Sequence, residues 1–220
     1  MVNPVDKLKK YLVPGTHVHL VGIGGVSMRP LGLVLQGMGI VVTGSDMSAS
    51  QSTQELIDQG IPVSIGHRAE NILGAKCIIR TAAAHNDNPE IAAARAEGIP
   101  VFERAQAWGV IMQAYKNAVC VSGTHGKTTT TSMVTQILME ANWDPTVMIG
   151  GVLPAIGSGH RVGKGDTVVL ESCEYCDSFL NFFPSLAIIL NVEADHLDYF
   201  KDLAEVEKSF EDKIAALKKD

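Results

Sequence analysis

Ala118-Val-Cys-Val-Ser122, followed at once by Gly123-Thr124-His125-Gly126-Lys127-Thr128-Thr-Thr-Thr131, is the stretch on which the fold of this chain turns. The uncharged first half reads as a buried strand, and the run beyond the glycines reads as a helix over 129–141. A turn placed between a strand and a helix N-terminus aims backbone N–H groups and the positive end of the helix dipole at one point, so it collects an anion. Lys127 adds a point charge for terminal phosphates, and the Thr128 hydroxyl adds a ligand for magnesium. The strict phosphate-loop spacing would put a first glycine at 121, where this chain has Val121. The flanking strand and helix outweigh that departure, because an ordinary turn needs neither.

Toward the C-terminus, a strand over 167–170 ends in Glu171, and one over 186–192 runs into Asn191-Val-Glu193-Ala-Asp195-His196-Leu-Asp198. Parallel sheets bind ligands beyond the carboxyl ends of their strands. Acids there suit a hard cation, so Glu171, Thr128 and substrate phosphates make a magnesium shell, with Glu174 close by in sequence. His196 has two readings: a contact to a second metal or a phosphate, or a hydrogen-bonded loop histidine. Residues 150–165, rich in glycine, read as a loop or hairpin, and 203–217 as an amphipathic helix. Cys173-x-x-Cys176 lacks a second pair at finger spacing, which argues against structural zinc or redox chemistry.

Toward the N-terminus, a strand over 17–21, the turn Gly22-Ile23-Gly24-Gly25 and a helix over 27–38 open a βαβ unit. Strands over 40–43, 62–65, 77–80 and 100–102 alternate with helices over 52–59 and 89–97, which implies a mostly parallel sheet with helices on its faces. The expected class is α/β, with a Rossmann-like domain over 1–115 and an incomplete P-loop α/β ATPase domain over 116–220. The dinucleotide fingerprint is partial, since its third glycine would fall at Ser27. Asp46 stands where a Rossmann acid binds a ribose hydroxyl, so an NAD enzyme stays open for the first domain taken alone. The second domain offers phosphoryl-transfer parts and nothing suited to hydride transfer.

With 220 residues and 46% hydrophobic content, the chain has globular composition and room for two domains. A formal charge of −6 argues against nucleic acid as a partner. The apolar runs fall short of the roughly 20 residues that span a bilayer, and no signal-peptide core precedes them, so a cytoplasmic protein with no membrane partner is expected. Four cysteines are too few for a disulfide scaffold and are read as reduced.

Gly22-Ile-Gly-Gly25, Gly44-Ser45-Asp46, Gly66-His67, Asp87-Asn88-Pro89-Glu90, Gly123 to Thr131, Glu171-x-x-Glu174, Ser178-Phe-Leu180 and Asn191 to Asp198 resemble successive motifs of the Mur ligases, over nearly the whole chain. These are ATP-dependent ligases of peptidoglycan precursor synthesis. The resemblance implies that the first domain holds UDP-N-acetylmuramate, with Gly22, Ile23, Gly24 and Gly25 against the diphosphate and Ser45, Asp46, His67 and Thr81 as further contacts. It implies ATP on Gly123, Thr124, His125, Gly126, Lys127, Thr128 and Thr129, Mg2+ on Thr128 and Glu171, and a second magnesium on His196. Lys127, Glu171 and His196 are then the candidate catalytic residues. ATP would turn the lactyl carboxylate into an acyl phosphate, which the amine of L-alanine attacks. His125 is similar to the alanine-adding member and to the murein peptide ligase, and Gly24, where the peptide ligase carries Cys, favours the alanine-adding member. Where the family often has Gly-Met-Ser-Gly, this chain has Ser27-Met28-Arg29-Pro30, so Arg29 is either a cation near the diphosphate or a surface residue. Family members are about twice as long, so the resemblance implies a truncated chain that binds UDP-sugar, ligates poorly or not at all alone, and self-associates through a cut sheet edge.

Overall fold

In the computed structural model, which describes residues 4–215 and 217, β1 (His17–Val21) is buried at every position but its first. A strand covered on both faces belongs inside a two-sided parallel sheet. It pairs in parallel with β2 (Val41–Asp46) on one side and β4 (Cys77–Arg80) on the other. With β3 (Val63–Ile65) and β5 (Val101–Glu103) at the edges, the order is β3-β2-β1-β4-β5. Helices α2 (Met28–Gly37), α3 (Gln51–Asp58) and α4 (Pro89–Ala96) are the crossovers, and α1 (Pro4–Lys9) precedes the sheet. The strand order reverses at β1, so the carboxyl ends of β1 and β4 diverge and open a crevice. Val21, Ile72, Ile78 and Ile91 form a buried cluster of this unit.

The starts of α3 and α4 are chemically specified. Ser50 Oγ accepts the Thr53 N–H at 3.2 Å while Thr53 Oγ1 accepts the Ser50 N–H at 2.9 Å, a reciprocal cap. Asn88 Oδ1 accepts the Glu90 N–H at 3.0 Å with Pro89 opening α4.

The second sheet centres on β6 (Asn117–Ser122), parallel to β9 (Thr167–Glu171) and β10 (Leu186–Ile189). Beyond β9 lies β7 (Thr146–Leu153), and β8 (Ser158–Arg161) pairs antiparallel with it, giving β10-β6-β9-β7-β8. Helix α6 (Lys127–Glu140) packs Val134 and Leu138 on Val119, Val147 and Val169. Helix α7 (Leu203–Ala215) sets Val206 and Phe210 against Phe179 and Phe200. The chain divides into compact units at 110/111, inside α5 (Arg104–Met112).

Several expectations shift. The helix expected over 129–141 begins at Lys127, so Lys127 and Thr128 sit in its first turn. The strand over 186–192 stops at Ile189, and Asn191 turns toward the phosphate loop. The glycine-rich run over 150–165 is the hairpin of its two readings, with β7 continuing through Gly150 and Gly151. The helix expected over 203–217 ends at Ala215, and residue 216 lies outside the described residues. No helix among the described residues is long and apolar enough to cross a membrane, and Cys77, Cys120 and Cys173 are free thiols. The side chain of Cys176 lies outside the described part, so the reading of its pairing with Cys173 does too.

Candidate nucleotide sites

At the crevice of the first unit lies a cleft of about 820 Å³, lined by Gly22, Gly24, Gly25, Asp46, His67 and Thr81 among others. Sites for small ligands run to roughly 300–1,000 Å³. Asp46 Oδ2 accepts the Gly24 N–H at 2.9 Å, and a Cβ on residue 24 would fall 2.9 Å from that same oxygen. Glycine at 24 therefore lets the acid tie down the loop, with one of its two oxygens spent on the backbone. Ile23 and Ser45, expected against the nucleotide-sugar, are fully buried and lie behind the cleft wall. Arg29 is half-buried: it pairs with Glu55 at 2.5 Å, bridging α2 and α3, and does not line the cleft.

Behind the wall sits a buried carboxylate that the site residues read from sequence leave out. Glu90, fully buried in the first turn of α4, accepts the Ser45 hydroxyl at 2.6 Å and the Asn71 amide at 2.5 Å. His67 Nδ1 stands 3.3 Å from the same carboxylate and 3.1 Å from Ser45 Oγ, and His19 Nε2 stands 3.6 Å away at ion-pair range. Burial pushes the Glu90 carboxyl up, but the interactions with His19, Ser45 and Asn71 outweigh it and bring the pKa down to about 2. The anion thus fixes His67, a cleft residue, from behind. The local signal was Asn88-Pro89-Glu90, a helix start whose acid could have been suspected of an inward role.

In the second unit the phosphate loop is braced across the sheet. Asn191 accepts the His125 N–H through Oδ1 at 2.8 Å and the Thr124 N–H through its own carbonyl at 3.1 Å, while its Nδ2 donates to His125 O at 3.1 Å. Two loop N–H groups are therefore committed, and anion capture falls to the start of α6. Gly126 is the N-cap and no side chain caps this end, so the first-turn N–H groups of Lys127, Thr128 and Thr129 are the donors that a phosphate fits. Lys127 Nζ donates to Gly123 O at 2.5 Å and Thr124 O at 3.1 Å and pairs with Glu174 at 3.3 Å.

Thr128 and Glu171 come together as expected: Thr128 Oγ1 donates to Glu171 Oε2 at 2.9 Å. That spacing is also about the edge of an octahedron with bonds of roughly 2.0–2.1 Å, so these hard oxygen donors fit magnesium. The Gly150 N–H holds the same carboxylate at 2.7 Å, and a Cβ there would meet it at 2.5 Å, so β7 can approach only as glycine. His196 stands with its Nε2 3.9 Å from Glu174 Oε1 and 3.9 Å from Cys173 Sγ. Glu174, only 2% exposed in its side chain, is thus the link between Lys127 and His196.

Tandem α/β units, one with a cleft at its switch point and one with a phosphate-type loop backed by oxygen donors, define the class as a two-unit parallel α/β protein. The profile described as the Mur ligase family catalytic domain matches residues 17–116, and that of the Mur ligase middle domain matches residues 121–220. The chain belongs to the Mur ligase family. It is 50% identical over 194 residues to the UDP-N-acetylmuramate–L-alanine ligase of Acetivibrio thermocellus, covering 88% of this chain and 41% of that protein. With the same-named ligase of Caldanaerobacter subterraneus subsp. tengcongensis it shares 48% over 193 residues, 88% of this chain and 42% of the relative. The chain therefore spans less than half the length of these relatives. Among solved structures, UDP-N-acetylmuramate-alanine ligase MurC from Thermotoga maritima superposes with a TM-score of 0.83 at 34% identity, over 91% of this chain and 47% of that one. The MPL ligase from Neisseria meningitides also superposes at 0.83, at 25% identity over 93% of this chain and 69% of that one.

Proposed function

We propose that the chain supplies the nucleotide-sugar and ATP units of a ligase that joins L-alanine to UDP-N-acetylmuramate in the cytoplasm. The observation that carries this reading is the set at the head of α6: Lys127 in the first helical turn and the Thr128–Glu171 oxygen pair beside it. Its support for the alanine-adding reaction is the identity to ligases of that name. In the first unit, Gly22, Gly24, Gly25, Asp46, His67 and Thr81 line the cleft offered to the sugar nucleotide. In the second, Lys127 would give up its hold on Gly123 O, Thr124 O and Glu174 to meet phosphate, and Thr128 and Glu171 would hold magnesium. Magnesium-ATP, when bound, supplies the phosphoryl group for an acyl phosphate and the charge that steadies its transfer. Lys127 contributes by neutralising that charge, a term commonly worth a few kcal/mol. The amine of L-alanine then displaces phosphate, with the rest of a longer protein supplying its pocket.

Calorimetric titration with UDP-N-acetylmuramate, and separately with magnesium-ATP, tests the reading. Both are expected to bind, with Lys127→Ala weakening ATP at least tenfold and leaving the sugar nucleotide unchanged. Failure of the sugar nucleotide to bind, or ATP binding indifferent to Lys127, would sink it. A second reading, a nucleotide-sugar-binding protein that self-associates, draws on β10, which among the described residues pairs on one side only, with β6. Light scattering that gives a dimer would favour it.

A further inference from the structure

We propose that Cys173, Glu174 and His196 form a binding site for a soft transition-metal ion of the zinc type, distinct in its donors from the Thr128–Glu171 oxygen pair. Cys173 Sγ lies 3.9 Å from His196 Nε2, which lies 3.9 Å from Glu174 Oε1, and all three donors fall within 4.8 Å of one another. Bonds of roughly 2.0–2.3 Å in a tetrahedron put ligand atoms roughly 3.3–3.8 Å apart, so the first two edges need to close by only a few tenths of an ångström. The 2.9 Å oxygen pair is too narrow for that geometry and is spaced for an octahedron. Donor chemistry agrees with the spacing, since sulfur and imidazole select zinc-like ions and hard oxygens select magnesium.

The site is also built. Glu174 is 2% exposed, so its carboxylate cannot turn away to solvent; Lys127 Nζ holds both of its oxygens, Oε2 at 3.3 Å and Oε1 at 3.4 Å, and Oε1 also faces His196 at 3.9 Å. His196 is held in the left-handed region at φ 53°, with its N–H on Asp195 Oδ1 at 2.7 Å and its ring 4.8 Å from that of Tyr175. These restraints aim Nε2 before any ion arrives. Cys77 and Cys120 are fully buried, whereas Cys173 is partly exposed, as is His196, which leaves an open fourth position for water. An ion bound here would engage the same carboxylate that partners Lys127.

Zinc is spectroscopically silent, so the probe is cobalt(II), added to the purified chain without nucleotide. A thiolate-to-cobalt charge-transfer band that saturates at one equivalent and is displaced by zinc is expected. Cys173→Ser should abolish it, and His196→Ala should weaken binding at least tenfold. Thr128→Val should leave the band intact while removing the oxygen pair, which separates this proposal from the fate of the ligase reading. In the unaltered chain, zinc should slow alkylation of Cys173 by iodoacetamide at least tenfold, read residue by residue by mass spectrometry. Absence of the band, a band that survives Cys173→Ser, or equal alkylation rates with and without zinc would overturn the proposal.

Discussion

Glu90 joins elements that the sequence keeps far apart. Its partner Ser45 is 45 positions away and His67 is 23, so no local spacing could have announced the cluster. Lys127, Thr128 and Glu171 were legible for the opposite reason, because a strand end and a helix start fix where their side chains point. Ser45 shows the limit of that logic: strand-end placement was right, but alternation along β2 turns its hydroxyl inward to Glu90. Replacing Glu90 by Gln keeps the volume and removes the charge, setting an amide against donors from Ser45 or Asn71. Hydrogen bonds to charged groups contribute about 1.5–3 kcal/mol, so Glu90→Gln should lower stability by about 2 kcal/mol in urea titration. Because His67 loses its anchor, sugar-nucleotide affinity should fall as well, with magnesium-ATP binding unchanged; unaltered affinity would detach Glu90 from the cleft.

At the scale of elements, the strands of the first sheet were readable because buried parallel strands carry apolar runs bounded by turns, and β1 and β4 fall where those runs do. Helix α5 was not readable, since Arg-Ala-Gln-Ala-Trp-Gly-Val-Ile-Met has no polar face at helical spacing and its burial comes from tertiary packing. The tail of the strand expected over 186–192 was lost to a competing demand, the bracing of the phosphate loop by Asn191. Helix α3 illustrates local specification, since Ser50 and Thr53 satisfy each other's backbone N–H. Ser50→Ala should cost about 1 kcal/mol, measurable as a lowered urea midpoint with unchanged slope. No loss would mean that α3 is held by its buried face and by the Arg29–Glu55 pair rather than by the cap.

The whole molecule carries one tryptophan in each unit, Trp108 buried in the first and Trp143 about half exposed in the second, so each unit can be followed separately after replacing the other by Phe. Their responses to pH should diverge. Glu90 titrates at about 2 in the fold against an ordinary 4.5, so between those values the unfolded chain binds the extra proton. Stability of the first unit is therefore full above about 4.5 and falls by about 3 kcal/mol as pH drops toward 2. Lys213, buried and donating to Phe179 O at 2.6 Å and Phe182 O at 2.7 Å, is lowered by desolvation from 10.5 to about 8. Here too the unfolded chain holds the proton longer, so the second unit should gain stability as pH rises from 8 toward 10.5, and Lys213→Met should remove that gain. An identical pH profile for both reporters would contradict the separation. Asn191 carries a further consequence, for the order of events during synthesis. It is made 66 residues after His125, a lag of several seconds at roughly 5–20 residues per second on the ribosome. The first unit can close before that lag begins, while the phosphate loop waits as an unsupported turn. A nascent chain should thus acquire the cleft of its first unit, proposed for the sugar nucleotide, before Asn191 leaves the exit tunnel and braces the phosphate loop.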